Sequence, residues 1–255
     1  MPDLSNPIFT DETKAREWLE ARVWPHGPAC PHCGVVGKAT LMQGKSHRPG
    51  LYQCNACREP FTVTVGTLYE RSKIPLYKWL AATHLLMASK KGMSALQISR
   101  MLGLPYKTAW FMMHRIRESL KPSPSDALGG ANKVVEADES YVGGKAKNRA
   151  HREPAKKKAV VSLVERDGEV NHSANEYARA HFWHTNTVEN YFSLLKRGIY
   201  GVYHHVSEAH LHRYTAEFDF RYNTRRISDR ERLERAMPGI VGKRLTYRRA
   251  NALNA

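Results

Sequence analysis

The chain has 255 residues, 42% of them hydrophobic, and carries 40 Lys and Arg against 24 Asp and Glu, a formal charge of +16. That length and apolar share suit one large domain or two to three small globular ones and exclude a disordered chain; the positive balance, spread through every region, calls for a polyanionic partner, nucleic acid first. The N-terminus has no basic and apolar signal regions, and Thr83 and His84 interrupt the most apolar helix, so a secretion signal and a membrane span are excluded and a soluble, cytoplasmic protein is expected.

Residues 8–24 read as a short helix that Thr10 or Asp11 can cap. Ala15, Trp18, Leu19 and Val23 fall on one face, and the run Pro25-His26-Gly27-Pro28 ends it. All four cysteines follow as two pairs, Cys30-Pro-His-Cys33 and Cys54-Asn-Ala-Cys57, 20 residues apart, with turn formers and strand-like segments such as Leu51-Tyr52-Gln53 between them. Two such knuckles describe a tetrahedral zinc site. Two disulfides would not suit a cytosolic protein, and a thioredoxin-like redox centre would need one pair. With four thiolates and no open position the zinc is expected to be structural. His26 and His32 are surplus to the ligand set.

From Pro75 to Leu120 the pattern turns helical. Leu76, Trp79, Leu80, Leu86 and Met87 keep a helix period, Lys90-Lys91-Gly92 breaks it, and Ser94 caps a short helix. Gly103-Leu104-Pro105 then turns into a helix over 107–120, which makes a helix-turn-helix. Tyr106, Lys107, Thr108, His114, Arg115 and Arg117 would put aromatic, hydroxyl and basic groups on a recognition helix; a plain three-helix packing unit is the competing reading. Residues 121–130, rich in Pro, Ser and Gly, have linker composition.

Beyond the linker, residues 133–142 alternate as a strand that carries Asp138, and 159–164 make a second strand. Arg166-Asp167-Gly168 signals a hairpin turn, yet Glu169-Val170 runs directly into Asn171-His-Ser-Ala-Asn with no return strand. Residues 184–198 read as an amphipathic helix. Glu189, Ser193 and Lys196 stack on one side, and Val188, Tyr191, Phe192 and Leu195 form the apolar stripe beside them. Glu189 could ligate a cation and Lys196 a phosphate, or both could simply face water. The clusters Tyr203-His204-His205 and His210-Leu-His212 lack a zinc-protease pattern and suit packing or phosphate contact. Residues 241–250, with Lys243, Arg244, Arg248 and Arg249, are expected to be a basic tail on DNA backbone, a solvated end being the alternative.

Four stretches together carry a resemblance: Asp138-Glu139-Ser140-Tyr141-Val142-Gly143-Gly144, the helix from His184-Thr185-Asn186-Thr187 to Lys196-Arg197-Gly198, Gly201-Val-Tyr-His-His-Val-Ser207, and Glu217-Phe-Asp-Phe-Arg-Tyr-Asn223. With the zinc ribbon before them, they resemble the ISXO-two-like DDE transposases of bacterial insertion sequences. The resemblance implies an RNase H-like core in which three carboxylates hold two magnesium or manganese ions that cut and rejoin DNA at terminal inverted repeats. By position Asp138 matches the first carboxylate, Glu189 the third and Lys196 the basic residue after it. The second is missing: Asp167 is the only aspartate between Asp138 and Glu189, and it falls in the hairpin turn. Resemblance and pattern agree on an internal deletion of a third strand, a crossover helix and the strand bearing that aspartate.

The expected architecture is therefore α+β and multidomain. It comprises an N-terminal helix and zinc ribbon over 1–66, a helix-turn-helix over 67–122, and a truncated RNase H-like α/β domain with a basic tail over 131–255. The expected function is that of an insertion-sequence transposase, nucleoid-associated and a homo-oligomer if active, in a copy rendered inactive by the lost aspartate. The alternative is a non-catalytic DNA-binding protein or repressor derived from one.

Overall fold

The computed structural model describes residues 4–121, 133–143, 157–167 and 186–246. The chain divides into two compact units, residues 1–121 with 223–255 and residues 122–222.

In the first unit a 3-10 turn, Pro7–Phe9, leads to helix α1, Glu12–Val23. Asp11 caps α1: its Oδ1 accepts the Lys14 N–H at 2.8 Å, satisfying one of the orphan donors of a first turn. Ala15 and Leu19 are fully buried, whereas Trp18 and Val23 are only half-buried, and the Arg22 guanidinium covers the Trp18 ring at 3.8 Å. Strands β1, Ala39–Leu41, β2, Tyr52–Cys54, and β3, Pro60–Phe61, form an antiparallel sheet in that order. Cys54 lies opposite Ala39, and Tyr52 lies opposite both Leu41 and Phe61.

Three helices follow where the periodicity places them. Helix α2, Leu76–Ala88, is buried on all sides from Trp79 to Met87, which is why its sequence is a near-continuous apolar run rather than a stripe. Helix α3, Ala95–Leu102, starts at Ser94, whose hydroxyl accepts the Gln97 N–H at 3.2 Å. It stops at Gly103, held at φ 60°, a left-handed cap that glycine adopts without steric cost. Helix α4, Tyr106–Ser119, begins directly after Pro105.

The second unit is built on two ten-residue strands, β4, Lys133–Val142, and β5, Lys158–Asp167, paired antiparallel from Lys133 opposite Asp167 to Val142 opposite Lys158. Arg166 and Asp167, expected in a turn, are strand residues: β4 offers ladder partners along its whole length, so β5 extends to match it. The expected turn residue Gly168 and the Asn171-His-Ser-Ala-Asn segment lie outside the described residues. Helix α5, Asn186–Gly198, a π turn, Ile199–Tyr203, and helix α6, Glu208–Asn223, complete the unit. Its core joins Val142, Val160 and Val164 of the strands to Val188, Tyr191, Phe192 and Leu195 of α5 and Phe218 of α6. The other face of the strand pair leaves Tyr141, Val161 and Leu163 at least half exposed.

Residues 223–246 return to the first unit. Helix α7, Asp229–Ala236, opens with a capping box between Ser228 and Glu231 and is followed by a 3-10 turn, Pro238–Ile240. Leu233, Ala236, Met237 and Ile240 are buried, and Arg22 pairs with Glu234 at 2.8 Å. The Leu68 N–H donates to the Ile240 carbonyl at 3.0 Å, and the Gly242 N–H donates to that of Gly66 at 2.9 Å. Gly239 passes so close to the end of α4 that an added Cβ would meet the Ser119 carbonyl at 2.1 Å. This segment, assigned from sequence to the transposase-like domain and its basic tail, is thus packed into the N-terminal unit through at least Gly242.

Candidate functional site

The two cysteine knuckles fold alike. In each, the carbonyl of the first cysteine accepts the N–H four residues on, Gly34 to Cys30 and Arg58 to Cys54, both at 2.9 Å. The residue after the second cysteine takes a left-handed φ, 77° at Gly34 and 66° at Arg58. Strand β2 delivers Cys54, and the aromatic cluster of Trp24, Tyr52 and Phe61 backs the site. All four Sγ atoms lie within 4.8 Å of one another, with Cys30–Cys57 and Cys33–Cys54 at 3.6 Å. Zinc–sulfur bonds of about 2.3 Å in a tetrahedron require sulfur separations of about 3.8 Å, so the donor set fits a zinc ion. Backbone N–H groups of Cys57 and Ala56 help hold the Cys54 thiol down to about 6, while burial and the neighbouring sulfurs push Cys33 and Cys57 up.

The second unit places the transposase-like residues on two elements. Along β4, Glu136, Ser140 and Val142 are buried, and Asp138 shares their face. Its Oδ1 accepts the Glu139 N–H at 2.7 Å, and across the ladder it faces Ser162. On α5 the apolar stripe is buried as its periodicity predicts, and Glu189, Ser193 and Lys196 are exposed. What joins strand and helix is a residue that sequence reasoning passed over. The Glu136 Oε2 accepts the N–H groups of Thr187 and Val188, each at 3.0 Å, so a buried carboxylate caps α5 from the neighbouring strand. Asp138 is two residues from this link on one side and Glu189 one residue from it on the other.

Asp219 was missed as well. The Tyr191 hydroxyl donates to its Oδ1 at 2.6 Å; burial pushes the Asp219 carboxyl up to about 6, with the Tyr191 hydrogen bond opposing the shift. In the same helix, buried Glu217 pairs with Arg221 and accepts the Tyr203 hydroxyl at 2.6 Å. The stretch Glu217–Asn223 stood out in the sequence for its resemblance, and the spacing of Glu217 and Arg221 was the local signal of their pair. Among the described residues, the four cysteines are the one group of three or more ligating side chains within reach of a common ion.

The expected DNA contacts separate by exposure. Tyr106 and Lys107 are exposed and Thr108 half-buried, all at the start of α4. His114, Arg115 and Arg117 are at most 7% exposed and cannot reach a groove; this corrects the expectation for those three. The reason is that the later part of α4 is enclosed on several sides. Arg115 donates to the Glu70 carbonyl at 3.1 Å and lies 5.1 Å from the Trp79 ring centre; burial, with Arg244 nearby, lowers its pKa. Lys243 is likewise engaged, donating to the carbonyls of Ser119 at 3.3 Å and Lys121 at 2.9 Å, so it caps α4 rather than trailing in solvent. Arg244 is exposed. Arg248 and Arg249 lie outside the described residues.

The four-cysteine ribbon of one unit and the strand and helix carboxylates of the other define a zinc-ribbon protein of the α+β class. Residues 10–59 match the transposase zinc-ribbon domain, and residues 168–223, which include Glu189 and Lys196 but not Asp138, match the ISXO2-like transposase domain. The chain is 27% identical over 152 residues to an uncharacterized protein in transposable element ISH50 of Halobacterium salinarum, a match covering 60% of this chain and 49% of that one. It thus spans about half the length of the curated relative it matches. No solved structure matches it. The likeness to ISXO2-like transposases with an N-terminal zinc ribbon is borne out. Among the described residues no helix is long and apolar enough to cross a membrane.

Proposed function

We propose that this chain is a transposase derivative that binds DNA, terminal inverted repeats in particular, but does not cut it. The observation that carries the second half is the β4–β5 register. Asp167, the only aspartate between Asp138 and Glu189, stands five residues along β5 from Ser162, the partner of Asp138. At about 3.3 Å per residue that is about 16 Å, too far for the two carboxylates to share an ion. Two cations about 3.5–4 Å apart need a carboxylate facing both, and Asp138 with Glu189 does not fit a two-ion magnesium or manganese centre. An internal deletion accounts for the missing acid and for the exposed apolar face of the strand pair.

DNA binding is favoured because its parts form a self-contained unit. The ribbon, α2 to α4 and residues 223–246 share one compact body, and we read α3 and α4 as a helix-turn-helix with Tyr106, Lys107 and Thr108 at the groove. The test has two arms. Duplex binding should weaken steeply with salt as phosphate contacts release counterions. Manganese-dependent nicking of terminal-repeat DNA should be absent, both in the native chain and in Glu189→Ala. Nicking that Glu189→Ala abolishes would show a working centre and refute the inactive reading.

A further inference from the structure

A second basic feature of the N-terminal unit lies away from α4. Between the ribbon and the helices opens a cleft of about 400 Å3, at the small end of the range of ligand sites, and three arginines from three chain segments line it. Arg16 comes from α1, Arg48 from the connection between β1 and β2, and Arg71 from the turn before α2. Thr13, Thr64 and Ser72 add hydroxyls to the same wall.

The arginines are placed rather than scattered. The Arg16 side chain, 19% exposed, runs across Gly50, where a Cβ would meet its Cδ at 2.2 Å and its Nε at 2.7 Å. Gly50, at φ 74°, therefore leaves the room that the Arg16 side chain takes up. Arg71 sits at the lip, its side chain 78% exposed, on a backbone at φ 55° that costs an L-residue energy and that glycine would hold freely. Glu20 and Glu70 pair with Arg16 and Arg71 at 3.7 and 3.5 Å from their Nε atoms, ion pairs longer than a good hydrogen bond that brace the side chains and offset part of their charge. The lining carboxylate Glu12 is already committed, accepting the Tyr77 N–H at 3.3 Å at the start of α2. Each guanidinium is a fork of donors suited to an anion's paired oxygens.

We propose that this cleft grips the phosphodiester backbone of duplex DNA through Arg16, Arg48 and Arg71. The assignment depends on the DNA-binding reading above and adds to it a contact surface separate from α4. Arg16 at the floor and Arg48 and Arg71 at the rims would follow one strand. The contact is to phosphate, so it carries no base preference.

The experiment uses the zinc-loaded full chain and a labelled random-sequence duplex, with affinity measured by anisotropy across a range of potassium chloride. Arg16→Gln, Arg48→Gln and Arg71→Gln should each reduce the slope of log affinity against log salt by about 0.9, and the triple variant by nearly three times that. Zinc content and melting temperature verify that each variant is folded, and Arg71→Gly, which also relieves the backbone, separates lost charge from lost fold. Native-like salt slopes in folded variants would overturn the cleft assignment while leaving DNA binding intact. A native chain that binds no duplex would refute the DNA-binding reading itself. Displacement of duplex by inorganic phosphate at constant ionic strength would make the cleft a free-anion site, and preference for an RNA duplex would exclude DNA as its partner. Either result overturns the proposal.

Discussion

Glu136→Ala tests how the second unit is held together. The change removes two hydrogen bonds of 3.0 Å from a buried carboxylate to the first-turn amides of α5. Hydrogen bonds to a charged group are worth about 1.5–3 kcal/mol each, and a negative charge at a helix N-terminus adds about 0.3–1 kcal/mol. Burying the carboxylate offsets part of this, and effects within one network do not sum, so a net loss of about 3 kcal/mol is expected. Glu136→Gln keeps an acceptor but not the charge and should lose roughly half as much. Chemical denaturation gives the total, and native-state hydrogen exchange over Asn186–Gly198 localises it: protection there should fall first. Unchanged protection in Glu136→Ala would mean that apolar packing alone seats α5. The link between the Asp138 strand and the Glu189 helix would then have to be sought elsewhere.

Cys54→Ser should release zinc and unfold the ribbon, because structural zinc contributes about 10 kcal/mol or more to such folds; metal analysis finding no zinc in the native protein would refute the site. Arg58→Gly, which relieves a left-handed backbone at φ 66°, should stabilise the ribbon by about 0.5–1 kcal/mol in thermal melts, and a loss would show that the Arg58 side chain matters more than its backbone. Asp219→Asn should act through pH. Burial raises the carboxyl from 3.8 to about 6, so the folded state holds the proton more tightly. Below pH about 4 both states are protonated and nothing is lost; stability then falls as pH rises through 6, by about 3 kcal/mol in all. Asn keeps an acceptor for Tyr191 without that cost, so its melting temperature should exceed the native one at pH 8 but not at pH 4. An advantage independent of pH would count against the buried charge.

Local signals in the sequence carried far. The cysteine spacing located the zinc knuckles, the alternation over 133–142 matches β4, Ser94 and Gly103 bound α3, and the two faces of α5 are the ones its periodicity describes. What could not be read locally depends on partners distant in sequence. Arg115 and Arg117 look like surface cations until the residues packed over α4 are known, because a basic side chain has the same pattern whether it meets water or a buried carbonyl. Lys243 is the same case, its two carbonyl acceptors lying more than a hundred residues earlier. Glu136 and Asp219 are ordinary acids in the sequence; one became a helix cap and the other a raised carboxyl because α5 brings Thr187 and Tyr191 to them.

The two units are held together in different ways. Zinc in the ribbon replaces a core: the cluster around Cys30, Cys54 and Phe61 is small, so the metal must hold it. The second unit is held by other means. Its stability rests on the apolar packing of α5 and α6 against β4 and β5, on the Glu136 cap and on the Glu217–Arg221 pair. A cluster of catalytic acids strains a fold by mutual repulsion, so losing one removes a cost as well as a function. On the proposed reading, an internal deletion abolishes a two-ion centre and still leaves a folded strand pair under its helices, with Tyr141, Val161 and Leu163 exposed on the other face. Loss of the ribbon's metal would instead unfold the ribbon. On that reading binding outlasts catalysis, because what cleavage requires and what folding requires lie on different residues.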